Sequence, residues 1–235
     1  MIVYTNPNNP TGYVYSQADL KAIADIAIRH DLIVLENQCY ERIVHDPVFY
    51  QTLRFYSLAE QPGMRQRTIT LGGVSKGFHL SGYRIGWIIG ASEIIQAMQF
   101  VQMWSTFSTS PTITEYGVDA ALRSPLRENY GRASLDVYRQ NIDCLCETLK
   151  EIPEVECARP MDGPFCFMDV TNTGYDDRTL AHMLYEWGVG TTFGCGWGPI
   201  NGANHIRLAL SNPVDYQRKC VDRLAQALKD ILHNR

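Results

Sequence analysis

Several features are missing from this 235-residue sequence, and each absence removes a class of function. No apolar run approaches the roughly 18 uninterrupted residues of a membrane span. The opening Met1-Ile-Val-Tyr-Thr5 has no basic stretch leading into an apolar segment, so no signal peptide is expected there. Neither charge sign is in large excess: 21 Lys+Arg stand against 25 Asp+Glu, a formal net charge of −4. That balance offers no electrostatic footprint for nucleic acid or an anionic membrane surface. Repeats and low-complexity tracts are also lacking. The seven cysteines are an odd number without the rhythm of a disulfide framework. They fit a reducing compartment, and the expected location is cytoplasmic. Cys144-Leu-Cys146 lies on a helical pattern with no second pair at ligand spacing, so these thiols are expected to pack in or near the core and no metal site is expected.

What is present is an alternation of strand and helix signals. Ile2–Tyr4, Leu32–Leu35, Thr68–Leu71 and Trp87–Gly90 read as short strands, the second buried on both faces. Ser16 is placed as the N-cap of a helix, with Asp19 completing an S-x-x-D capping pattern. Leu20, Ile23, Ala24, Ala27 and Ile28 then form one apolar face. A loop-rich stretch is expected from His45 to about Met64. Helices follow from about Ser92 to Trp104, from near Pro111, and from Arg127 to Ile152. Beyond these come strands at Val155–Cys157, Phe165–Met168 and His205–Leu210, with helices near Arg178–Trp187 and Val214–Leu232. The pattern predicts an α/β protein with a mostly parallel sheet in a first domain, 1–125, and a smaller C-terminal α/β domain, 126–235, that begins with the long helix. Trp87 and Trp104 are expected as core aromatics, and Cys39 as a small buried hydrophobe.

Two segments carry chemistry. Asn6-Pro-Asn-Asn-Pro-Thr-Gly12 is a turn made almost wholly of residues that fix or cap backbone geometry. Gly73-Val-Ser-Lys-Gly-Phe-His-Leu-Ser-Gly-Tyr-Arg84 puts a lysine on a small-residue loop directly after a strand, with an arginine eight residues on. A lysine so held can form a Schiff base with an aldehyde cofactor. The arginine can fork onto a phosphate. A Walker A reading fails, because the G-x-x-x-x-G-K-[ST] order is absent. His79 reads as a loop histidine with a local hydrogen bond.

These segments, with Asn37-Gln-Cys-Tyr40-Glu41 after a buried strand and Gly82-Tyr-Arg84-Ile-Gly86, resemble the class I/II aminotransferases, fold-type I enzymes that use pyridoxal 5′-phosphate. The resemblance implies that Lys76 is the Schiff-base lysine and proton shuttle. It implies that Asn9 and Tyr40 bond the phenolic oxygen of the cofactor, with Tyr40 counted beside Lys76 as catalytic, and that Arg84 takes the phosphate with Ser75. It implies that Arg207, in His205-Ile-Arg-Leu-Ala-Leu-Ser211, grips the substrate α-carboxylate, a task lysine does poorly. Phe193-Gly-Cys-Gly-Trp-Gly198 resembles the family loop that lines the site. An α-amino acid and a 2-oxo acid are the implied substrates, and a homodimer the implied assembly. Other outcomes compatible with the resemblance are a lyase or cyclase of the same fold and a catalytically silent homologue serving as a subunit.

Two positions depart from the family pattern. Asn37 stands where the family carries the aspartate that pairs with the pyridine nitrogen, and a neutral amide favours the protonated ring less. Glu36 cannot substitute from a strand, because adjacent side chains point to opposite faces. Gly73 stands where relatives often place a phosphate-binding serine. The resemblance begins almost at Met1, so the sequence corresponds to a C-terminal portion of the family's chain, and an exposed strand edge is expected.

Overall fold

In the computed structural model, residues 1–45, 55–106 and 110–233 are described. They form two compact units, one of Met1–Asn8 with Tyr13–Arg132 and one of Asn9–Gly12 with Ala133–Arg235.

The first unit is built on a four-stranded sheet. Strands β1 (Ile2–Thr5), β2 (Val34–Asn37) and β3 (Thr68–Gly73) run parallel, and β4 (Gly86–Ile89) closes the order β1-β2-β3-β4 as an antiparallel edge. The α/β class and mostly parallel sheet agree with the sequence reading. Helix α1 (Gln17–Arg29) crosses between β1 and β2 and starts as the sequence predicts: Ser16 and Asp19 form a reciprocal capping box. Its Leu20, Ala24 and Ala27 are buried with Val34, Leu58 and Met64. Helices α2 (Ser92–Thr106), α3 (Thr112–Arg123) and α4 (Arg127–Leu149) follow.

The second unit has an antiparallel sheet in the order β5-β7-β6, from β5 (Phe165–Asp169), β6 (Thr192–Phe193) and β7 (His205–Ala209). Helices α5 (Asp177–Glu186) and α6 (Val214–His233) join α4 in covering one face. Ile142, Leu145, Leu180, Leu184, Leu224 and Leu228 bury Ile206 and Leu208 of the central strand. The opposite face carries His205 and Arg207, as the two-residue period of a strand requires.

Some expectations are corrected. The second strand lies at Val34–Asn37 rather than Leu32–Leu35, because pairing begins where Ile2 and Thr68 flank Val34. Val155–Cys157 is reduced to a single bridge between Glu156 and Asp169. Trp104 is 62% exposed on α2, beside exposed Phe100, Val101 and Met103, so it is not a core residue, and Cys39 is half-buried. Of the loop-rich stretch from His45, residues 46–54 lie outside the described residues. Its later part contains a 3-10 turn at Leu58–Glu60.

The least anticipated feature of the first unit is Glu36, an acid that is 0% exposed on β2. Its carboxylate accepts from Tyr4 Oη at 2.6 Å, Ser57 Oγ at 2.6 Å and the Leu58 N–H at 3.2 Å. A buried charge is tolerable only when its lone pairs are satisfied in this way. Burial, reinforced by the Glu36 charge, pushes the Tyr4 phenol far above its ordinary range, so it stays a donor. Glu36→Ala should leave two hydroxyls and an amide without their acceptor and destabilise the protein by about 3 kcal/mol or more. Glu36→Gln should cost less. Urea unfolding of the two variants checks this, and equal stability of wild type and Glu36→Ala would refute it.

Candidate functional site

In the first unit the candidate residues gather at one end of the sheet. Thr5, Asn37 and Leu71 are in register on the three parallel strands, so the segments after them all emerge at the strands' carboxyl ends. Ligands of open α/β sheets bind at that end. Asn37 is the last residue of β2, Tyr40 is buried in the turn that follows, and Ser75 and Lys76 follow β3.

The lysine loop is firmly tethered. Val74 is fully buried and its N–H bonds Ile85 O at 3.3 Å, while the Leu80 N–H returns to Val74 O at 3.2 Å. Phe78 lies under the Arg42 guanidinium at 4.9 Å, and His79 Nδ1 meets Tyr130 Oη at 2.6 Å. His79 thus bonds a residue 51 positions away rather than a local group. Burial lowers its pKa and favours the neutral ring. Ser75 is half-buried and Lys76 itself is exposed. Burial raises the pKa of the neighbouring Cys39 thiol, and the Lys76 charge opposes that rise. Arg84 is exposed in a left-handed backbone conformation (φ 56°), with Nη1 donating to Ser81 O at 2.9 Å.

Asn37 has a defined orientation. Its Oδ1 accepts the Cys39 N–H at 3.1 Å, an Asx-type turn that only the oxygen can make. The amide nitrogen is therefore the end with hydrogens to offer a ligand. Glu36, one residue earlier, is committed to the opposite face through Tyr4, Ser57 and Leu58. An amine, a guanidinium, a phenol and an amide donor at one sheet end suit an anionic aldehyde cofactor with a ring nitrogen. The residues present fit pyridoxal 5′-phosphate.

The second unit brings together Asn9 and Arg207, which are 198 residues apart. Arg207 Nη1 donates to Asn9 Oδ1 at 2.9 Å, and Nη2 lies 3.4 Å from Thr192 Oγ1. The guanidinium sits over the Phe165 ring at 4.4 Å and the Trp197 ring at 4.8 Å. An arginine held against two aromatic faces has its plane fixed by them. Phe165 was not anticipated, although its signal lay in the strand alternation: Cys166 and Met168 turn to the core and Phe165 and Phe167 away. Trp197 belongs to the loop that the sequence singled out. Buried Asp177 holds that loop by accepting from the Cys195 N–H at 2.8 Å and the Asn204 N–H at 3.4 Å.

The Asn9 turn is clamped by the segment before β5. Gly12 has φ +67°, and a Cβ there would come within 2.5 Å of Pro160 Cβ and 2.9 Å of Asp162 O. Its carbonyl accepts the Met161 N–H at 2.9 Å. The positive φ and the blocked Cβ position both require glycine. Asp162 is 1% exposed, and its Oδ1 has no hydrogen-bond partner among the described residues. Burial holds its carboxyl well above the usual range, opposed by a bond from the Gly163 backbone. The folded protein therefore keeps this proton at pH values where the unfolded chain releases it, which opposes folding as pH rises above about 4. Asp162→Asn should gain stability relative to wild type as pH increases from about 4 to about 7. Denaturant midpoints across that range test it, and a pH-independent difference would refute it.

Comparison with known proteins follows the same lines. A sequence model of the family described as aminotransferase class I and II matches residues 1–224. The chain is 28% identical over 238 residues to an aspartate aminotransferase of Musicola paradisiaca, covering 98% of this chain and 56% of that protein. It is 30% identical over 239 residues to an aspartate aminotransferase of Pyrococcus abyssi, covering 97% and 57%. Among solved structures, the aromatic aminotransferase of Pyrococcus horikoshii OT3 superposes with a TM-score of 0.89 at 28% identity, over 97% of this chain and 59% of that one. Aspartate aminotransferase from Thermus thermophilus with maleate gives 0.85 at 28% identity, over 96% and 56%. The chain thus spans little more than half the length of the relatives it matches.

Proposed function

The chain belongs to the class I and II aminotransferase family, and we propose that it carries the lysine-bearing part of a pyridoxal 5′-phosphate site for amino transfer between an α-amino acid and a 2-oxo acid. The observation that carries this reading is the emergence of Asn37, Tyr40 and Lys76 from the carboxyl ends of adjacent parallel strands. When bound, the cofactor supplies an aldehyde for a lysine amine and a ring that draws electron density from the substrate Cα.

The chain's own residues then divide the work. Lys76 Nζ provides the amine and moves the proton at the substrate Cα, a role that suits an exposed side chain on a tethered loop. Tyr40 Oη donates to the phenolic oxygen. Arg84, with Ser75, takes the phosphate; among the described residues its exposed guanidinium bonds Ser81 O through Nη1 alone. Asn37 would present an N–H donor to the ring nitrogen, a neutral partner that would favour the protonated ring less than a carboxylate would. Asn9 donates to the phenolic oxygen through its Nδ2, since its Oδ1 is engaged by Arg207. Arg207 takes the substrate α-carboxylate.

The test is covalent. After incubation with pyridoxal 5′-phosphate and borohydride reduction, mass spectrometry should locate one adduct, on Lys76, and Lys76→Ala should abolish it. A folded protein labelled only on other lysines would overturn the assignment. Asn37→Asp should raise the rate of the first half-reaction with an amino acid, and an unchanged rate would refute the role given to the amide. Arg207→Lys should weaken amino-acid binding about tenfold or more, by analogy with the loss of a charge-assisted hydrogen bond. Spectral titration with an amino acid reads this directly.

A further inference from the structure

Three sulfurs meet within the second unit. Cys146 is on α4, Cys157 follows the Glu156–Asp169 bridge, and Cys166 is on the core-facing side of β5. Their Sγ atoms all lie within 4.8 Å of one another. Cys166 is fully buried and the other two are half-buried. Cys144, which shares the C-x-C pattern with Cys146, is not one of the three.

We propose that Cys146, Cys157 and Cys166 form a three-thiolate site for a soft monovalent cation, Cu(I). A cation at the centre of a sulfur triangle with 4.8 Å sides would be about 2.8 Å from each Sγ, so inward movements of about 0.5 Å reach the ~2.3 Å of a metal–thiolate bond. Side-chain rotation alone covers that distance. Among the described residues no fourth cysteine, histidine or carboxylate joins the group. A three-sulfur set suits trigonal Cu(I), whereas zinc in structural sites takes four ligands.

The surroundings of the sulfurs include two cations. Lys150 and Arg159 line the cavity onto which Cys146 and Cys157 open. Metal binding must displace the thiol protons to solvent. Three thiolates and one Cu(I) carry a net charge of −2, which faces these two cations. Each cation also has an acidic neighbour, Asp143 for Arg159 and Glu147 for Lys150. Cys157 Sγ additionally lies 3.9 Å from Ala158 O. A cavity of ≈ 370 Å³, lined by Cys146, Cys157, Lys150, Glu156 and Arg159, provides the path of entry.

The experiment uses the full chain, reduced and kept anaerobic, titrated with Cu(I) in competition with bicinchoninate. One Cu(I) per chain should leave the chelator, and X-ray absorption should show three sulfur neighbours at about 2.3 Å. Cys157→Ser should weaken binding by about 100-fold or more, the upper end of what even an outer-shell change costs a metal site. Cys144→Ser should leave binding unchanged. Circular dichroism verifies folding, and Cys146→Ser takes the place of Cys157→Ser if the latter fails to fold. Failure of the folded wild type to take Cu(I) from the chelator would overturn the proposal, as would binding that survives the loss of Cys157 or Cys146, or a two-sulfur copper.

Discussion

The first unit depends on the burial of one negative charge. Glu36 lies in the interior of the sheet layer, and its carboxylate is held by two hydroxyls and a backbone amide from β1 and from the turn at Leu58. That commitment sets which way β2 faces. With Glu36 locked inward, the period of the strand turns Asn37 to the other side, and the strand ends where the Asx turn onto Cys39 begins. Tyr40 follows from the same geometry. A shift of one residue in the register of β2 would place the acid where the amide now stands and leave Tyr4 and Ser57 facing a gap.

Much of this was legible in the sequence, and the parts that were not share physical causes. The Ser16–Asp19 capping box could be read because both partners lie within one turn. The loop bearing Lys76 could be read because glycine and serine directly after a β-run leave few alternatives. The second strand was displaced by two residues because apolarity marks Leu32 and Ile33, whereas strand membership is decided by partners, which begin at Val34. β6 has only two residues and is too short to show any period. Trp104 looks like a core residue by chemistry, yet it lies on the outward side of α2. Glu36 shows the converse, an acid whose burial depends on donors 32 and 21 positions away.

The candidate residues fall into the same two groups. Asn9, Asn37, Tyr40, Lys76, Arg84 and Arg207 stand in local patterns, and the sequence names them. Their supports do not: Phe165 beside Arg207, Tyr130 beside His79 and Asp177 under the Gly194–Trp197 turn all come from distant segments. The sulfur cluster makes the same point. Its members are spaced 11 and 9 residues apart, a separation that matches no short ligand motif, and only the packing of α4 against β5 brings them together.

The arginine in the second sheet illustrates what such supports achieve. A free arginine side chain samples many rotamers, and ordering it on contact with a ligand costs about 2 kcal/mol. In Arg207 the Asn9 amide, the Thr192 hydroxyl and two aromatic rings have already selected one of them. The conformational entropy of that side chain is therefore lost once, when the polypeptide folds, and any anion bound there would meet a guanidinium that no longer has to be ordered.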